Sequence, residues 1–371
     1  MNLMEHPYLK NGYYRVGNQV FSSKLLALMA GSQSNIHPEW IFNNKIFDAV
    51  DWTKEPALDI DSLYLNRASA IREKYDYVVL MYSGGADSHN VLETFLRNNL
   101  RIDEIVTTWS VEAAKKYVGD PTDRSAANYL AEWNYLLEPQ LKYIATHYPD
   151  IKITVVDSTT DIANNCYREE DFFLFDHFHN LPGMNRWPAL IRKLKEIGDQ
   201  HPNSIMLTGV DKPQFNYDKN QLHLFFIDIT TAIKSQEGVN IEYFYWSADA
   251  VNIVKKQCHM VLQYFKNNPE LKPMLTNRND ALLRIINTVV YPTTFDPKRF
   301  QSGKQKYMLF NDQQKWAWNL TQFQDGSYVD RWSSQIANFN LIIDNRFKRY
   351  KDGLFDGYHG FLTKDYFIGN L

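Results

Sequence analysis

The sequence predicts an α/β protein: a parallel sheet with flanking helices, preceded by an N-terminal cap and followed by a helical, aromatic-rich C-terminal region. Three observations predict it. Short, β-rich apolar runs recur at 77–82, 104–109, 151–156, 204–208 and 241–246. Long helical patterns separate them, and strands joined by such crossovers pair in parallel. The run at 77–82 also passes directly through Ser83-Gly84-Gly85-Ala86-Asp87-Ser88 into Val91, Leu92, Phe95 and Leu96, which are spaced as on a helix.

Residues 1–70 form the expected cap. Tyr13 to Phe21 reads as a strand pair turned at Gly17-Asn18, and a helix carrying Leu25, Leu26, Leu28 and Met29 follows. Trp40, Phe42, Phe47 and Trp52 form an aromatic stretch that reads as packing over the core. A helix over 63–74 leads into the first core strand. Residues 71–250 carry the sheet, and residues 251–371 are expected to be mostly helical and to complete a substrate site. Just ahead of that last region, Tyr245-Trp246-Ser247-Ala248-Asp249-Ala250 opens a helix that carries Lys255, Lys256, Gln257 and His259, and Asp249 suits the first turn. A proline-broken loop follows, with Tyr291-Pro292 and Asp296-Pro297 ahead of Lys304 and Lys306. Trp316, Trp318, Phe323, Tyr328 and Trp332 supply packing or line an acceptor pocket.

Composition narrows the function classes. A chain of 371 residues with 44% hydrophobic content has ample material for a core. The formal net charge of −3 leaves no overall footprint for nucleic acid, although a local basic patch would be hidden in that total. Cys166 and Cys258 are the only cysteines, which excludes a disulfide framework and a Cys-x-x-Cys zinc site. No run of about eighteen apolar residues occurs, and the start of the chain lacks a signal-peptide layout, so a soluble cytoplasmic protein without membrane association is expected. His177 and His179, with no third ligand in view, read as ordinary polar structure rather than a zinc site.

Chemistry concentrates at Ser83–Ser88. Adjacent glycines can take positive φ and bring N–H groups close to a ligand, and the following helix aims its positive end at the same spot. Ser88 or Asp87 is the expected helix cap. The loop lacks the Gly-Lys-Ser/Thr ending of a Walker A motif and the Gly-x-Gly-x-x-Gly of a dinucleotide fold. All of its positions match, and it therefore resembles, the Ser-Gly-Gly-x-Asp-Ser signature of the PP-loop ATP pyrophosphatases, the superfamily of asparagine synthetase, GMP synthetase, NAD synthetase and several tRNA-modifying enzymes. The resemblance implies a HUP-type fold, as in the adenine nucleotide alpha hydrolases. It also implies a loop that grips the β- and γ-phosphates of ATP, and attack on the α-phosphorus that yields an adenylylated substrate and pyrophosphate. Cysteine pairs, a cysteine-bound zinc or a nucleophilic cysteine after Met1 would mark the sulfur, zinc and glutaminase branches of that superfamily; none is present. The linear order of Phe42-Asn43-Asn44, Asp51-Trp52, Arg67-Ala68, the loop and Gly209–Pro213 is similar to asparagine synthetase-like proteins of bacteriophages, which implies a host cytoplasm.

Open α/β sheets bind ligands at the carboxyl ends of their strands, and the other candidates lie there. Ser83, Gly84, Gly85, Ala86 and Ser88 are expected to bind phosphates. Thr107, Thr108 and Trp109, at the end of the second strand, would hold adenine through main-chain groups or are simply a strand end. Gly209, Val210, Asp211 and Lys212 leave another strand through a glycine turn and offer an acid beside a base. Asp87 and Asp211 are the expected Mg²⁺ ligands, and Lys212 or Lys304 would stabilise charge on the departing phosphates. Arg186, Arg192 and Lys193 would bind an acidic substrate or make a solvated face. The expected function is an AMP-forming ligase that joins an amine or ammonia, supplied by a separate protein, to an unidentified acceptor. The alternatives are modification of a nucleotide or nucleic-acid base, and ATP binding by a regulatory protein without catalysis.

Overall fold

The computed structural model describes residues 12–21, 33–109, 130–157, 187–228, 239–276, 280–300 and 361–371, with positions 27, 30, 31, 111, 115 and 120–123 between them. The expected helix with Leu25, Leu26, Leu28 and Met29 falls largely outside these residues. So do Cys166, His177, His179, Arg186, Lys304, Lys306 and the tryptophans of 316–332.

β1 (Tyr13–Val16) and β2 (Gln19–Phe21) form the expected hairpin, turned at Gly17 with φ 57°. A third strand, β3 (Glu39–Ile41), pairs with the other edge of β1 and opens the aromatic stretch. The short α1 (Asn44–Phe47) continues it. Trp40, Phe42, Phe47 and Trp52 are all buried, as the packing interpretation requires. Phe47 stacks on Phe226 at 4.8 Å, and Phe226 meets Trp246 edge-on at 5.0 Å. These aromatic contacts tie the N-terminal sheet to the rest of the core.

α2 (Ile60–Lys74) begins three residues earlier than its apolar spacing suggests, because Asp59 caps it by accepting from the Ser62 N–H at 2.8 Å. Then come β4 (Tyr77–Met81), α3 (Ala86–Arg97) and β5 (Glu104–Trp109). A π-helical turn at Trp133–Leu137 leads into α4 (Glu138–His147), and β6 (Lys152–Asp157) follows. α5 (Trp187–Gln200) returns the chain to β7 (Ser204–Thr208). A hairpin of β8 (Gln214–Asp218) and β9 (Gln221–Phe225) turns through Lys219 and Asn220, both at positive φ. β10 (Ile241–Tyr243), α6 (Val251–Asn267) and α7 (Asp280–Val290) come next, and β11 (Tyr366–Asn370) pairs with β9. Sequence periodicity shows neither the hairpin nor β11. Their strands are short and mix polar with apolar residues, so their stability comes from pairing with each other.

The central sheet has the order β10-β7-β4-β5-β6, and every pair is parallel. The protein is therefore of the α/β class, with a sheet compatible with a Rossmann-like or HUP-like fold. From β4 the chain steps outward through β5 to β6, then crosses back to β7 on the opposite side of β4. The strand order thus reverses between β4 and β7, and at the carboxyl ends of such a pair the two exit loops diverge and leave a crevice. A buried ion pair braces the flank: Arg67 of α2 donates to Glu242 of β10 at 2.8 Å, and Lys74 reaches the same carboxylate at 3.0 Å. No helix among the described residues is long and apolar enough to cross a membrane.

Candidate active site

Ser83–Ser88 and Gly209–Lys212 leave β4 and β7 on the two sides of that reversal, so the topology alone sets them face to face. Two details of the loop differ from expectation. Gly84 takes positive φ, 71°, whereas Gly85 is extended at −74° and is itself the N-cap of α3. Asp87 and Ser88 therefore do not cap the helix; they lie in its first turn. A glycine cap leaves the first N–H groups of α3 without a competing side chain, which suits an anion there.

The serines brace the loop. Ser88 Oγ accepts from the Ser83 N–H at 3.2 Å and donates to the Gly85 carbonyl at 3.2 Å, while Ser83 Oγ accepts from the Gly85 N–H at 3.3 Å. Gly209 packs directly on this turn. A Cβ at that position would lie 2.9 Å from both the Asp87 carbonyl carbon and the Ser88 nitrogen, so only glycine lets β7's exit come this close.

Charge converges across the gap. Lys212 Nζ donates to both carboxylate oxygens of Asp87 at 2.8 Å and to Asp211 Oδ1 at 3.2 Å. Burial alone would lower the lysine's pKa, but the Asp211 and Asp87 carboxylates outweigh it and hold the ammonium protonated, above its ordinary value. Gln214 supports the acid by donating to Asp211 Oδ2 at 3.0 Å. Asp87, Asp211 and Lys212 are thus brought together as the sequence suggested.

Thr107 and Trp109 are buried and Thr108 is half-buried. The Val106 carbonyl accepts from the Tyr82 N–H at 2.9 Å, which turns that peptide toward β4. Main-chain directions alternate along a strand, so Thr108 also presents its N–H and C=O toward the side where β4 has given way to Ser83. Trp109 stacks on Trp133 at 5.4 Å beside it. Lys304 lies outside the described residues. Of the basic residues on α5, Lys193 pairs with Glu196 at 3.0 Å along its own helix. Cys258 is buried in α6, where burial pushes its thiol pKa up and keeps it unreactive.

Sequence reasoning missed several residues that hold the site. The Tyr291 hydroxyl donates to Asp87 Oδ1 at 2.7 Å, and the Tyr245 hydroxyl donates to the Asp87 carbonyl at 2.9 Å. Asn90 links them onward, donating to the Tyr245 hydroxyl at 2.9 Å and accepting from Thr294 at 2.8 Å. His89, on the next face of α3, accepts at Nε2 from Arg299 at 2.9 Å, with the Tyr82 hydroxyl 3.3 Å from Nδ1. Burial, reinforced by Arg299 and Arg97, pushes its pKa down to about 3 and keeps the imidazole neutral. Lone tyrosines and histidines carry no spacing signal; the one available hint was that Tyr291 begins the proline-broken loop.

No protein-family model matches this sequence, and no curated protein matches it either. Among the described residues no group of three or more His, Cys, Asp or Glu side chains is placed to hold a metal ion. Asp87 and Asp211 nevertheless fit the usual manner of Mg²⁺ binding, in which one or two carboxylates share the ion with water and substrate phosphates. Both already contact a single cationic centre, Lys212 Nζ.

Proposed function

We propose that the protein is an ATP-dependent, AMP-forming ligase of the PP-loop pyrophosphatase type, which adenylylates a carboxylate or carbonyl oxygen and passes it to an amine or ammonia. The observation that carries this reading is the bridge from Lys212 to Asp87. It joins the one acidic residue of the Ser-Gly-Gly-Ala-Asp-Ser loop to the loop after β7, at the point where open α/β sheets bind ligands.

The chemistry follows from these groups. The loop N–H groups and the N-terminus of α3 would receive the β- and γ-phosphates, and the main chain at Thr108 would meet the adenine. Lys212, held charged between two carboxylates, would turn to the phosphates as negative charge builds on them. The acceptor oxygen attacks the α-phosphorus, a P–O bond forms, and the bond to the β-phosphate breaks with its electron pair leaving on pyrophosphate. The amine nitrogen then attacks the activated carbon, and AMP departs with the C–O electron pair while a proton leaves the nitrogen. Mg²⁺, bound by Asp87 and Asp211, would supply charge neutralisation for the pyrophosphate. The protein's own contribution is positioning and electrostatics.

The test is exchange of labelled pyrophosphate into ATP with pools of amino acids, nucleotides and DNA as acceptors. Exchange that requires an acceptor and is lost in Asp87→Ala supports the reading and identifies the acceptor class. Release of ADP and inorganic phosphate would refute it.

A further inference from the structure

Residues 291–300 run along α3 and grip it at several positions. Tyr291 donates to Asp87 Oδ1 at 2.7 Å, Thr294 to Asn90 at 2.8 Å, and Arg299 to His89 at 2.9 Å and to Gln140. In return Arg97, in the last turn of α3, donates to the Thr293 carbonyl at 2.8 Å. The segment is itself anchored: the Tyr291 N–H donates to the Asn287 carbonyl at 2.9 Å, and Thr293 bonds Asp61 of α2 at 2.9 Å. Most of these bonds fix the helix as a body. The Tyr291 bond differs, because it ends on a carboxylate oxygen that also faces Lys212.

We propose that Tyr291 is a positioning residue for the Asp87 carboxylate, setting the rotamer in which that group serves the nucleotide-bound metal. This rests on the adenylylation reading. A carboxylate in the first turn of a helix can swing about χ1 and χ2, and Lys212 alone would follow it, since a flexible ammonium gives little directional restraint. Tyr291 is rigid by contrast. Its ring is fully buried and packs against Tyr245 at 5.6 Å and Tyr64 at 6.4 Å, so its hydroxyl is a fixed point. Burial, with Asp87 and Tyr245 nearby, raises the phenol pKa, so it stays a donor throughout the working range. When Lys212 turns toward phosphate, Tyr291 still holds Oδ1. Residues that orient a metal-binding carboxylate typically change metal affinity by about 10–100-fold when removed.

The experiment is calorimetric titration of ATP at a series of Mg²⁺ concentrations on the full chain, comparing the parent protein with Tyr291→Phe and Tyr14→Phe. Both substitutions delete one buried hydroxyl that donates to a carboxylate at 2.7 Å and keep the ring. Tyr291 touches Asp87; Tyr14, in the N-terminal sheet, touches Asp228. Tyr291→Phe should raise the Mg²⁺ concentration for half-maximal ATP binding by about 10-fold, and Tyr14→Phe should move it by less than about 2-fold while sharing the loss of thermal stability. In an Asp87→Asn background, Tyr291→Phe should add nothing. Equal Mg²⁺ shifts in the two variants, no shift in Tyr291→Phe, or an undiminished shift in the Asp87→Asn background would each overturn the positioning role. A parent protein that binds no ATP at any Mg²⁺ concentration overturns the adenylylation reading, and the proposal with it.

Discussion

Gly209→Ala puts the closeness of β7's exit and α3 to a quantitative test. The added Cβ would sit 2.9 Å from Asp87 C, 2.9 Å from Ser88 N and 3.0 Å from Ser88 Cα, all main-chain atoms of a helix turn that cannot rotate away. Restoring ordinary contact needs about 0.5 Å of separation, and overpacking of this kind costs about 1–3 kcal/mol. The same displacement would stretch the 2.8 Å contacts between Lys212 and Asp87 toward the limit of hydrogen bonding. Pyrophosphate exchange should therefore slow by about 10-fold, less than the roughly 100-fold that a full 1 Å misplacement can cause. Gly369→Ala is the control. Its Cβ would also meet an atom at 2.9 Å, but that atom is Leu262 Cδ2, the end of a side chain that can change rotamer. Urea unfolding of both variants, compared at unchanged slope, measures the difference, and pyrophosphate exchange measures the second effect. Equal midpoints for the two variants, or a Gly209→Ala protein that keeps full stability, would refute the reasoning.

Three further outcomes are expected. Lys212→Met should reduce pyrophosphate exchange by about 100-fold or more, as loss of one preorganised donor to a developing anion does; steady-state kinetics reads it. His89, whose pKa falls from 6.5 unfolded to about 3 folded, contributes stability that is fully present above pH 6.5 and is lost as pH falls toward 3. At pH 5 the deficit is on the order of 2 kcal/mol, so His89→Gln should gain on the parent protein as urea melts move from pH 7 to pH 5. Arg67→Ala leaves Glu242 buried with Lys74 and Tyr75 among its remaining partners and should cost about 3 kcal/mol in the same assay.

How far the site was legible depends on where each signal resides. The strands at 104–109 and 204–208 have the bounds read from composition alone, because both are deeply buried and their apolar runs are bounded by turn residues. Asp87, Asp211 and Lys212 were legible because each adjoins a strand and a glycine turn. Their partners were not. Tyr291 lies 204 positions from Asp87 in sequence, and Tyr245 lies 158 away, and no local pattern encodes contacts at such range. The helix cap was misassigned for a related reason. Ser88 has the right chemistry for an N-cap, but Gly84's positive φ starts the helix earlier, so the serine is used instead to close the loop.

By itself the sequence determined that this is an α/β chain with a glycine turn between one central strand and the helix that follows, because periodicity, turn chemistry and glycine placement act over a few residues. The tertiary structure alone decided that β7 lies beside β4 and that the Gly209–Lys212 loop therefore faces Ser83–Ser88. It also decided that a tyrosine from the C-terminal third closes on Asp87. Those outcomes depend on strand order and on packing across the sheet, and both are set by which buried surfaces fit together.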